Sequence, residues 1–209
     1  MRSLVGLFLL MASASVLPAQ QGGGGRLPPG WQARLDQATA RIQDLTFTTS
    51  GSGFHATSGP AAIYFHPRYQ GKGEYELGAT FTQTRAPQHP EAYGIFFGGR
   101  ELSGPDQEYY YYLVRGDGRY SIKHRDGGDV KTIRDWTEAS ALKAADQSGR
   151  ATNVLRVVVN GQNVRFLAND QEVASLARSE LPNTDGQAGI RVNHNLDVDI
   201  EGFLVRPLR

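Results

Sequence analysis

The stretch EYYYYLVRGDGRYSIK, Glu108 to Lys123, sets four tyrosines ahead of a Gly-Asp-Gly turn. Aromatic and β-branched residues on both sides of a turn signal predict a β-hairpin. With Asp117-Gly118 as the centre of a two-residue type I′ turn, Tyr112 faces Lys123 and Tyr110 faces Arg125. On the other side Leu113 faces Ile122 and Tyr111 faces His124. Residues directly opposite share a face. Tyr111, Leu113, Tyr120 and Ile122 are therefore expected in a core, and Tyr110, Tyr112, Lys123 and Arg125 outside it. A three-residue Gly-Asp-Gly loop swaps the faces of one strand, because a one-residue slip inverts them.

The same period-two texture extends in both directions. Upstream, LTFTT, GFHAT, AAIYFHP, EYELGATFTQT and AYGIFFGG are strand-like runs bounded by Gly, Pro and Ser. Downstream come VKTIRDW and NVLRVVVNGQNVRFLANDQEVASL, in which Asn160-Gly161 and Asn169-Asp170 punctuate three strands. GQAGIRVNHN and LDVDIEGFLVRPL close the chain. Thr137 to Gly149 alone has helix or loop texture among these later segments. Strand follows strand without βαβ alternation, which predicts an all-β antiparallel sandwich or barrel. Before the strands, Trp31, Leu35, Ala38, Ile42 and Leu45 fall at helical spacing. A short N-terminal helix is expected there, with an extended lead-in strand as the alternative.

The first residues have a different character. Met1-Arg2-Ser3 precedes the apolar run Leu4 to Leu17, which ends in small residues before Pro18-Ala19-Gln20. That order is a signal peptide over 1–19, with secreted or periplasmic localisation; an uncleaved anchor is the other reading. No later run is long and apolar enough to span a membrane. Residues 20–30, QQGGGGRLPPG, read as a Gly/Pro-rich linker, leaving 31–209 as a single domain. The chain has 209 residues and no cysteine, so an exported domain must be held by its apolar core rather than by disulfides. With 22 basic and 21 acidic residues and no basic block, nothing suggests a nucleic-acid partner.

The succession GEYELGATFTQTRAPQHPEAYGIFFGG, YYYYLVRGDGRYSIK, NVLRVVVNGQNVRFLANDQEV and GQAGIRVNHNLDVDIEGFLV resembles concanavalin A-like lectin/glucanase domains. More narrowly, it is similar to bacterial laminin-G-like and 3-keto-disaccharide hydrolase-type domains. In these an aromatic strand precedes an Asp-Gly turn, and a VNGxxVxFxxNxxxV hairpin precedes a closing strand. The resemblance covers roughly Leu45 to Leu208. It implies a jelly-roll sandwich of two antiparallel sheets, often with a concave face that binds carbohydrate. Lectins, glycosidases and adhesion modules share this fold, so the site must decide the function.

Three sets of residues are candidates. An outward Tyr110, Tyr112, Lys123 and Arg125 would offer rings for sugar C–H patches and donors for hydroxyls, with His89, Arg100 and His194 as neighbours. An ordinary solvated strand face is the alternative. Asp197, Asp199 and Glu201 alternate with apolar residues and share one strand face. The resemblance to laminarinase-like enzymes, which carry a Glu-x-Asp-x-Glu strand, makes them the catalytic candidates. Asp at position 197 and the location in the closing strand depart from that pattern, and a solvated acidic face is the other reading. His194 with Asn193, Asn195 and Asp197 could bind a sugar hydroxyl or a cation. No histidine spacing marks a metal site. Calcium suits many folds of this kind, but no calcium-loop motif supports it. The leading expectation is a carbohydrate-binding module with carbohydrate as partner. A glycoside-cleaving enzyme is the rival, and a structural or adhesion module the third reading.

Overall fold

The computed structural model describes residues 27–208. The expected signal peptide and the first part of the linker lie outside the described residues. Fourteen strands follow one another: β1 (Gln32–Leu35), β2 (Leu45–Ser50), β3 (Gly53–Ser58), β4 (Ala62–Gly71), β5 (Tyr75–Gln83), β6 (Ala92–Arg100), β7 (Glu108–Arg115), β8 (Arg119–Asp126), β9 (Asp129–Glu138), β10 (Ala151–Val159), β11 (Asn163–Ala168), β12 (Gln171–Ala177), β13 (Gly186–Val192) and β14 (Asp197–Pro207). They form two seven-stranded antiparallel sheets, ordered β1-β4-β13-β6-β7-β8-β9 and β12-β11-β10-β5-β14-β3-β2. This is an antiparallel sandwich, one of the two architectures expected from the strand texture, and the jelly roll that the resemblance implies. Among the described residues no helix is long and apolar enough to cross a membrane.

Alternation builds the core. Along β10, Leu155, Val157 and Val159 are buried while the residues between them are partly exposed. The β10–β11–β12 meander turns where the sequence predicts. Asn169 and Asp170 both have positive φ, the backbone that a two-residue hairpin turn requires. Between the sheets, Tyr93 packs on Phe81 at 5.5 Å, and Tyr112 on Phe166 at 5.5 Å.

Two expectations are corrected. Residues Trp31–Leu45 form no amphipathic helix. Trp31, Ala33 and Leu35 turn inward at period two, and β1 pairs with β4, Ala33 opposite Tyr64. One further turn of 3-10 helix, Ile42–Asp44, leads into β2. The edge of β4 offered seven-stranded pairing, and those hydrogen bonds with a buried Trp31 outweigh weak helical propensity.

The second correction concerns the tyrosine hairpin. Its loop has three residues, Gly116-Asp117-Gly118, with Gly118 at φ +79° and its N–H donating to the Arg115 carbonyl. The register is therefore Tyr112 opposite Ile122, Tyr111 opposite Lys123 and Tyr109 opposite Arg125. β8 keeps its expected faces and β7 is inverted. Tyr110 and Tyr112 belong to the sandwich core, while Tyr109, Tyr111, Lys123 and Arg125 share the outer face.

Candidate functional site

β6 is buried on both faces, an unusual pattern for a sheet with one side toward water. The outer face of its sheet carries a second apolar cluster: Ile63, Phe65, Phe96, Tyr109, Tyr111 and Leu113, with Trp136 packed against it. Successive registers place Arg34, Ile63, Arg191, Gly94, Leu113 and Ser121 in one row across six strands. The next row runs from Gln32 through Phe65, Gly189 and Phe96 to Tyr111 and Lys123. Gly189 is required here, because a Cβ would stand 2.5 Å from the Phe96 ring.

Over this floor lies a layer of charge. Arg191 is 5% exposed, and its guanidinium grips Asp36 through two contacts of 2.5 Å. Its Nε donates to Asn193 Oδ1 at 3.0 Å. Arg125 stands 3.7 Å from the same Asp36 carboxylate and donates to the Gly128 carbonyl at 3.2 Å. Arg34 donates to the Leu102 carbonyl at 3.0 Å. Arg191 and Arg125 thus meet one carboxylate, and the field of Arg34 also reaches it, so three guanidiniums stand against one negative charge. The Nε atoms of Arg34 and Arg125 are buried without a partner.

The electrostatics follow. Burial opposes the Arg191 charge, but the hydrogen bonds and field of Asp36 outweigh it and hold the pKa above the ordinary arginine value. Burial likewise works against the Asp36 carboxylate, and Arg191 and Arg125 reverse that, holding it below the usual aspartate range. Desolvation pushes Tyr111 up to about 12, so its hydroxyl stays protonated at neutral pH. At the β9 edge the half-buried Trp136 carries Arg115 over its ring at 4.3 Å and Lys123 at 5.7 Å.

The other expected residues do not converge on this face. Arg100 pairs with Glu108, which also accepts from His124 at 3.1 Å and Asn183 at 3.2 Å. His89 and His194 meet at the opposite end of β6, each 2.9 Å from Glu91 Oε1. Nine residues of extended chain, about 30 Å, separate Glu91 from Arg100. Asp197, Asp199 and Glu201 do share the outer face of the second sheet. Asp199 contacts His55 Nδ1 at 2.7 Å, Asp197 pairs with Arg85 at 3.5 Å and accepts from Thr84, and Glu201 is exposed. Their surroundings are a ladder of threonines: Thr48, Thr57, Thr80, Thr82 and Thr152. A recess of about 220 Å³ on this face is lined by Glu76, Thr80, Arg156 and Leu204 among others, and by none of the three carboxylates.

Arg34, Asp36, Trp136 and Arg191 escaped the reading of the sequence, and Tyr111, expected in the core, lies on this outer face with Tyr109. The alternation Gln32-Arg34-Asp36 against Trp31-Ala33-Leu35 was present, but a competing helical period masked it. Arg191 lies in a strand whose neighbours are apolar, and nothing local announces its partner 155 residues away.

No protein-family model matches the chain, and neither does any curated protein. Solved structures do. The carbohydrate binding module CBM66 from Bacillus subtilis is 13% identical, with a TM-score of 0.64 over 85% of this chain and 95% of that one. A Bacillus subtilis protein of unknown function with a galectin-like fold is 11% identical, with a TM-score of 0.61 over 84% and 88%. A family 7 alginate lyase is 9% identical, with a TM-score of 0.54 over 84% and 94%. At these identities the likeness is one of fold alone, a two-sheet sandwich of the concanavalin A-like kind.

Proposed function

We propose that the chain is an exported glycan-binding sandwich whose contact surface is the outer face of the β1-β4-β13-β6-β7-β8-β9 sheet, and that its ligands are acidic polysaccharides. The observation that carries this is three guanidiniums set against one carboxylate over an aromatic floor, with Arg115 and Lys123 beside Trp136 at the rim. A carboxylate is the group that matches a guanidinium fork in charge and shape. Trp136, half-buried at the rim beside Arg115 and Lys123, offers a ring face for the C–H patch of a pyranose. The two outer faces differ in kind: the second sheet presents threonines, a common solvated surface for an antiparallel sheet. The named activities of the structural neighbours, carbohydrate binding and alginate lysis, agree with a sugar ligand.

Calorimetry against a panel of neutral and uronate-containing polysaccharides tests the reading. Saturable binding of the uronate polymers, weakened at least about tenfold by Trp136→Ala, is expected. Binding confined to neutral polymers, or indifferent to both Trp136→Ala and Lys123→Ala, would remove this face as the site. Release of reducing ends from the panel, lost in Asp199→Asn or Glu201→Gln, would instead favour a glycoside-cleaving enzyme.

A further inference from the structure

We infer that His89, Glu91 and His194 form a binding site for a divalent transition-metal ion of the zinc type, with one coordination position open to solvent. The inference is independent of the glycan reading. It starts from register. β6 and β13 pair with Val192 opposite Tyr93, and the ladder continues one step as the Asn193 N–H donates to the Ala92 carbonyl at 2.9 Å. The next pair in that register is His194 opposite Glu91. His89 enters from the loop before β6, joined to Glu91 through Pro90, whose ring restricts the link. Two residues separated only by Pro90 and one more than a hundred positions away are thus delivered to one point by the end of a sheet.

The donor set is that of a borderline ion. Glu91 Oε1 lies 2.9 Å from His89 Nδ1 and 2.9 Å from His194 Nε2, and the ligand atoms all lie within 4.8 Å of one another. The imidazole rings are 5.0 Å apart and tilted by 57°, so they converge without stacking. Two imidazoles and a carboxylate suit zinc, copper or nickel, whereas calcium prefers an all-oxygen shell. Tetrahedral bonds of about 2.0–2.1 Å set ligand atoms about 3.3 Å apart, so the two Glu91 contacts must open by a few tenths of an ångström while the widest pair, within 4.8 Å, draws together. The histidines can supply that movement, since their side chains are 51% and 47% exposed.

The second observation is Glu91 itself. Its side chain is 7% exposed, yet no Arg or Lys answers it among the described residues; its ion-pair partners are the two histidines alone. A carboxylate taken out of water is ordinarily matched by a full positive charge or a metal. Among the described residues neither imidazole has a second carboxylate to share. An ion seated between the three would neutralise Glu91 and tie the 84–91 loop to the 193–196 turn. Three protein ligands also leave a fourth position facing outward, the arrangement of sites that bind water or a ligand oxygen.

The test uses the full chain stripped with chelator and titrated with Zn²⁺ by calorimetry and with Co²⁺ by visible absorption. One ion per chain is expected, with the strong cobalt absorption of four- or five-fold coordination and a melting temperature that rises with Zn²⁺. His89→Ala and His194→Ala should each weaken binding at least about tenfold, while His55→Ala leaves it unchanged. Both ligand histidines are half-exposed, so metal-free melting should report intact folds; His89→Asn, closer in size, repeats the measurement if it does not. Absence of saturable binding, affinity indifferent to both ligand substitutions, or loss in His55→Ala instead would overturn the site. So would the weak absorption of six-coordinate aqueous-like cobalt.

Discussion

The Tyr112 hydroxyl lies in the sandwich core with no hydrogen-bond partner, and burial pushes its pKa above the ordinary phenol value. An unsatisfied buried hydroxyl costs about 1–3 kcal/mol, so Tyr112→Phe should raise stability by about 1 kcal/mol and shift the thermal midpoint upward. Because the ring faces inward, glycan binding should be untouched by the same substitution. A lower midpoint would mean that the hydroxyl has a partner after all. Asp36 behaves oppositely. Its carboxylate answers the buried Arg191, and Asp36→Asn would leave that charge unpaired at a cost of about 3–5 kcal/mol. The folded pKa is depressed, so the contribution is complete above the unfolded aspartate value of about 3.9 and is lost as pH falls through the lower folded value. Melting curves of wild type and Asp36→Asn should differ widely near neutrality and converge as the pH drops below about 4. A gap that persists unchanged into acid would show that the Asp36 charge is not what stabilises.

One residue of loop length decides which tyrosines reach the outer face. Period two marks β7 and β8 plainly in the sequence, and Gly-Asp-Gly marks the turn. Nothing in those letters selects two central residues over three. Gly118 at φ +79° completes the longer loop, and the register of seven residue pairs follows from it. Deleting Asp117 would force the shorter loop and push either Tyr110 and Tyr112 or Tyr120 and Ile122 out of the core, so the chain should fail to fold cooperatively. Gly118→Ala keeps the loop and meets no atom closer than 3.8 Å, so only the left-handed backbone is strained, at a cost of about 1 kcal/mol in a urea titration. Equal damage from both changes would mean that side-chain space, not register, governs the turn. The same logic explains what was legible. Strands, turns and the sandwich are local patterns and could be read. Arg191 with Asp36, and His194 with Glu91, are joined by strand order and register, which no local pattern encodes.

At the scale of the molecule, the two sheets turn different chemistry outward. The second sheet shows Thr48, His55, Asp199, Thr82 and Thr152 in one row, a polar surface in which Asp199 is matched by His55 and Thr82 by Thr152. The first sheet buries aromatic rings beneath guanidiniums, an expensive arrangement for a face that could simply have been solvated. The asymmetry predicts where a polyanion binds and how the binding responds to salt. Raising ionic strength from about 0.05 M to about 0.5 M shortens the screening length several-fold, and affinity for a uronate polymer should fall with it. Lys123→Ala on the first sheet should flatten that salt dependence, because it removes a cation that has no acidic partner among the described residues. Asp199→Asn on the second sheet should leave both affinity and slope as they were. If Asp199→Asn alters binding and Lys123→Ala does not, the polyanion lies on the threonine face, and the charged layer over Tyr109 and Tyr111 serves stability instead.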